Sequence, residues 1–297
     1  DVCARHVKPI TRKAVTPLVT LLQDGRDGVG ASWCDAPSQF ISYAWSYPFR
    51  LLIDIVEQFE EENPPPPGTT YYYFLDQFSL NQHVFVDEQA NQKELQQQIV
   101  ASLEGQMTRA GHVLMCLHPW HKPVPLRRAW CLFELFVAMQ SGCKVTMCFG
   151  RDDARALQAA VSNGNFSAEL AVGEIDAAAA GATKSSDKEL IMALIAEKVG
   201  VDAFNAQMQQ YLKTAMKGTV TAVLARDHDR ARPEAEGWPG RRSSHRRSSS
   251  VSSVSPMRVP KKVVPAQPRR PSAQPCTLLL AHPRKPLLAH PRKPLLA

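Results

Sequence analysis

Apolar positions between residues 38 and 150 follow two periods in turn. Unbroken apolar runs at FISYAW (40–45), YYYFLD (71–76), HVLMCL (112–117) and KVTMCF (144–149) predict four strands. The segments between them have helical spacing. Leu52, Ile55, Val56 and Phe59 line one face of 49–63, and Leu95, Ile99, Leu103 and Met107 line one face of 91–110. Pro64 to Pro67 and Gly68 stop the first of these helices. RRAWCLFELFVAMQSG (127–142) predicts another, with Gly142 as its closing residue.

Strands that alternate with helices imply a parallel sheet, because parallel neighbours need crossover connections. Further helices are expected at about 152–163, 186–199 and 201–217, and LAV (170–172) is a candidate fifth strand. The expected fold class is α/β: a flavodoxin-like three-layer fold with a 4–5-stranded parallel sheet, a helical C-terminal extension and a disordered basic tail. The organisation reads as a partial N-terminal segment (1–37), an α/β core (38–150), a helical completion (151–218) and the tail (219–297).

Composition divides the chain of 297 residues. The net charge of +7 hides a tail with 16 Lys/Arg against 4 Asp/Glu and a body with 19 against 24. The tail carries RRSSHRRSSSVSSVSP (241–256) and a repeat, LLAHPRKP, at 279–286 and 287–294. Such sequence buries too little apolar surface to offset the entropy of ordering it. Its basic charge suits acidic partners. With no aromatic residue after Trp238 it has no stacking surface for bases, so specific nucleic-acid recognition is not expected. No apolar run is long enough to form a transmembrane segment. Seven cysteines in unpaired spacing argue against a disulfide framework and suit a reducing, cytoplasmic compartment.

Ligands of open α/β sheets sit beyond the carboxyl ends of the strands. Three loops there are rich in aromatic, amide, His or Arg groups: WSYPF after the first strand, QFSLNQH after Asp76 and HPWHKPVPLRR after Leu117. Asp76 either caps the following turn or binds a ligand hydroxyl. Asn81, Gln82 and His83 are suited to ordering their own loop. Cys116, His118 and His121 lack an obvious fourth ligand, so no metal is expected. GRDGVG (25–30) lacks the Lys-Ser/Thr of a phosphate loop. Taken from its helix alone, Glu134 is a surface residue able to pair with Arg127 or Arg128, and Trp130 is a core residue.

Three motifs in order change that reading: Ser42, Tyr43 and Trp45; Asp76, Asn81 and Gln82; Arg128, Trp130, Cys131 and Glu134. Together they resemble the Toll/interleukin-1 receptor (TIR) superfamily, in its TIR-like and heterokaryon-incompatibility-like branch. The resemblance spans about residues 38–150 and, more loosely, reaches 217. It implies an intracellular signalling domain that self-associates and hydrolyses NAD at the bond to nicotinamide, with NAD as substrate and no cofactor. The W-x-x-x-E helix of that family maps onto Trp130 and Glu134. It implies Glu134 as the catalytic carboxylate, with Trp130, Trp45, Tyr43 and Asp76 as candidate substrate-binding residues. The basic pair that many such enzymes carry after the first strand is replaced here by Trp45, Ser46 and Tyr47. The alternative function is a non-catalytic protein–protein interaction module.

Overall fold

The structure, a computed structural model, describes residues 2–24, 34–83 and 92–231. GRDGVG (25–30) and the tail from residue 232 lie outside the described residues. Four strands, β1 (Gln39–Ser42), β2 (Tyr73–Phe74), β3 (His112–Cys116) and β4 (Lys144–Cys148), form one sheet in the order β2-β1-β3-β4. Every pairing is parallel, with Ser42 beside Met115 and Cys116 beside Cys148. Helices are α1 (Lys8–Thr11), α2 (Leu18–Gln23), α3 (Phe49–Glu62), α4 (Asp76–Ser79), α5 (Gln92–Ala110), α6 (Ala129–Gln140), α7 (Arg151–Ser162), α8 (Ala168–Val172), α9 (Ser185–Lys198) and α10 (Val201–Ala231). This is a flavodoxin-like three-layer α/β fold.

Strand alternation builds the two halves of the core. Phe40, Val113, Met115 and Met147 join Leu103, Met107, Leu132, Leu135, Ile191 and Phe204 on the side of α5, α6, α9 and α10. Ile41, Leu114, Cys116 and Cys148 join Leu52, Ile55 and Phe59 of α3 on the other side. Strand β3 is buried on both faces, which explains its continuous apolar sequence.

Helix α6 is buried without a break from Cys131 to Ala138, packed among the sheet, α5 and α9. Glu134 therefore lies inside the protein, 8% exposed, and the reading of it as a surface glutamate is overturned. A helix apolar on nearly all sides is stable only in such a position. Burying a side chain such as Phe133 there contributes roughly 1.5–3 kcal/mol. Gly142 ends the helix at φ +66°, and the N–H groups of Gly142 and Cys143 bond to the carbonyls of Met139 and Ala138.

The candidate fifth strand is instead helix α8. The Ser167 hydroxyl accepts the Leu170 N–H at its start, and Gly173 closes it at φ +69°. A hydroxyl cap outweighs the strand preference of so short an apolar run. Helix α10, expected to stop at 217, runs on to Ala231. Among the described residues no helix is long and apolar enough to cross a membrane.

Candidate functional site

In this strand order the chain reverses direction across the sheet between β1 and β3. The crevice beyond their carboxyl ends is the place where such sheets hold ligands. Ser42 ends β1 and faces α6, where its hydroxyl donates a 2.6 Å hydrogen bond to Glu134 Oε2. Burial pushes the Glu134 pKa up to about 8. The Ser42 hydrogen bond opposes that shift, and the negative charge of Asp76 adds to it. At neutral pH the group is mainly a neutral acid.

The next residues turn to the other side. The Tyr43 hydroxyl donates to Asp76 Oδ1 at 2.8 Å, and the Trp45 indole N–H donates to Asp76 Oδ2 at 2.6 Å. The Gln77 N–H completes the set on Oδ1 at 2.7 Å. Asp76 thus ties the end of β2 to the end of β1 through both carboxylate oxygens. Burial raises its pKa, and these three donors pull it back. The Tyr43 phenol is pushed well above its usual range by burial and then by Asp76. Trp45 remains 44% exposed although its N–H is fixed.

Four of the candidate residues therefore gather at one sheet edge: Glu134, Tyr43, Trp45 and Asp76. The electrostatic influence of Asp76 on Glu134 joins the two halves of this group. Trp130 is placed differently. It is half-buried against the core, and its indole N–H donates to Asp187 of α9 at 3.2 Å. Arg128 turns to the Thr183 hydroxyl at 2.8 Å.

The loop after β2 orders itself as its amides suggest. Gln82 Nε2 donates to the carbonyls of Asp76 and Leu80, and Asn81 Oδ1 accepts the His83 N–H. The N-terminal residues brace it from outside. Cys3 Sγ donates to Gln82 Oε1, the Asn81 amide donates to the Val15 carbonyl, and Thr11 Oγ1 bonds to His83 Nε2 at 2.8 Å. Val15 takes the left-handed conformation at φ +51°, which a β-branched residue adopts only under constraint.

A second polar group stands after β3. His118 Nδ1 bonds to Asp153 Oδ2 at 2.6 Å, and Asp153 Oδ1 accepts the Trp120 N–H at 3.0 Å. The Tyr47 hydroxyl accepts the His118 N–H and donates to the His118 carbonyl. Cys116, by contrast, faces the α3 side of the sheet and is fully buried. Sequence spacing gave Ser42 only as part of a motif and did not single out Tyr47 or Asp153. Asp153 stands 35 positions from His118, so no local pattern joins them.

Comparison with protein-family models, with curated proteins and with solved structures finds no match to this chain.

Proposed function

We propose that the chain is a TIR-like intracellular signalling domain that cleaves NAD to nicotinamide and ADP-ribose, with Glu134 as its catalytic carboxylate. The observation that supports this reading is the burial of Glu134 against Ser42 at the carboxyl end of β1, next to the group of Asp76, Tyr43 and Trp45. The pyridinium of NAD is a cation. Brought beside Glu134 it favours the ionised carboxylate, so binding expels a proton from the acid. The carboxylate then stabilises the positive charge that grows on the ribose as neutral nicotinamide leaves. Trp45 offers a ring face to the base or ribose.

The test is nicotinamide release by the full chain and by Glu134→Gln, a change that keeps the volume and an acceptor for Ser42. Loss of release in the variant supports the reading, and equal rates end it. TIR-type enzymes act as assemblies, so both proteins are also assayed when clustered on a surface.

The second reading is a self-associating module without catalysis. It is favoured by the same burial, since 8% exposure leaves Glu134 little direct access to a ligand. Under that reading the exposed Trp45 is a contact residue, and Trp45→Ala lowers self-association while Glu134→Gln does not. The basic tail then serves acidic partners.

A further inference from the structure

We propose that His118 is a general base that takes a proton from water at this sheet edge, with Asp153 and Tyr47 as its positioning residues. The geometry on which this stands is separate from Glu134. Asp153, in the first turn of α7, is 9% exposed and accepts from the His118 ring through Oδ2. A neutral imidazole that donates to the carboxylate through Nδ1 presents a lone pair at Nε2. Among the described residues Nε2 has no hydrogen-bond partner, and the side chain is 42% exposed. Tyr47 grips the backbone of His118 by both its N–H and its carbonyl, and its ring meets the imidazole edge-on at 5.7 Å between centroids. A histidine oriented by a buried carboxylate, clamped in place and open at its second nitrogen, has the parts of a base.

His118 lies two residues past the end of β3, which pairs with β1, the strand that carries Ser42. The Tyr47 hydroxyl is within electrostatic reach of both Asp153 and Cys131, and Cys131 is within reach of Glu134. The titratable groups that face the imidazole are Asp153 from α7 and Tyr47 from the loop after β1.

The electrophile rests on the proposed function; the base does not. In hydrolysis of NAD the bond from ribose C1′ to the pyridinium nitrogen breaks, and its electron pair leaves with neutral nicotinamide. A lone pair of water forms the new C1′–O bond, and the released proton passes to His118 Nε2 and then to solvent. No oxidant or reductant is needed.

Exchange of labelled nicotinamide into NAD requires bond cleavage without water, so it separates the two roles. In the full chain, His118→Gln and Asp153→Asn are expected to keep exchange and to lose hydrolysis by at least about 100-fold. Asp153→Asn is informative because its one oxygen is held by the Trp120 N–H. Its NH2 then faces Nδ1 and moves the ring proton to Nε2. The 15N spectrum of His118 should show the Nδ1–H tautomer in wild type and the Nε2–H tautomer in Asp153→Asn. Wild-type hydrolysis by His118→Gln, equal loss of exchange and hydrolysis, or a wild-type Nε2–H tautomer each overturns the proposal. If wild type neither releases nor exchanges nicotinamide, the NAD reading falls and the base is read on p-nitrophenyl acetate. There His118→Gln and Asp153→Asn must slow ester hydrolysis and remove its solvent deuterium isotope effect; unchanged rates overturn the base as well.

Discussion

Ser42 and Glu134, 92 positions apart in the chain, share a buried 2.6 Å hydrogen bond across the junction of β1 and α6. It ties the strand end to an otherwise apolar stretch of helix, and it holds the Glu134 pKa below the level that burial alone would impose. Ser42→Ala is therefore expected to raise that pKa above about 8. The shift is read from the carboxyl 13C signal of Glu134 against pH. An unchanged midpoint would show that the hydroxyl does not stabilise the carboxylate.

The pH dependence of folding carries the signature of the same group. Its pKa rises from the usual 4.5 to about 8 on folding, so the folded chain binds the proton more tightly than the unfolded one. The stabilising contribution is complete below about pH 4.5 and is lost as the pH climbs through about 8. Urea midpoints of wild type should fall across that window relative to those of Glu134→Gln. Parallel curves for the two proteins would remove the buried titration.

His112 acts with the opposite sign. It is half-buried, bonded to the Thr146 hydroxyl, and its pKa is lowered to about 4 by burial and by Lys144. The unfolded chain then takes up a proton that the folded chain refuses, so stability present above about pH 6.5 is lost as the pH falls toward about 4. His112→Gln should flatten the acid side of the stability curve and leave the alkaline side alone. An acid limb as steep as that of wild type would contradict this.

Asp76 holds three donors, and an asparagine cannot. Its NH2 would meet either the Trp45 N–H or the Tyr43 hydroxyl, leaving one donor unmatched at a cost of about 1–3 kcal/mol. Asp76→Asn should lower the urea midpoint. In a double-mutant cycle with Trp45→Phe the two costs should add to less than their sum, since the 2.6 Å contact is lost only once. Full additivity would mean that the indole and the carboxylate act independently.

Helices α3 and α7 meet through Asp54, whose Oδ2 accepts the Arg151 N–H at 2.8 Å while Oδ1 takes the guanidinium. A methyl group on Gly150 would come within 2.5 Å of Asp54 Oδ2. Glu57 and Glu61 reach the same arginine from more exposed positions. Asp54→Ala should therefore destabilise the chain more than Glu57→Ala, and only the latter effect should vanish in high salt. A reversed order would place the stabilising contact on the helix surface.

Much of the architecture was legible because strand and helix periods are distinct in this chain. The runs that became β1, β3 and β4 and the stripe Leu52, Ile55 and Phe59 of α3 needed only local pattern. The LAV run failed the same test since the Ser167 cap lies outside its window. Glu134 was legible as a candidate but not as a buried acid, because the Ser42 that it packs against lies 92 positions upstream and reaches it only through the sheet. Asp76, Tyr43 and Trp45 could be named from loop composition and motif. Their shared hydrogen bonds, and those of Asp153 with His118, depend on strand register and on where α7 lands, which no short window contains.

The bonds from Cys3, Thr11 and Val15 to the Gln82 region carry a practical lesson for anyone trimming this protein. A version begun at residue 38 would retain every strand, yet the turn that positions Asp76 would lose its outer scaffold. Shortened forms would then report on a slackened rim, so the opening two dozen residues belong in any preparation used to judge the activity.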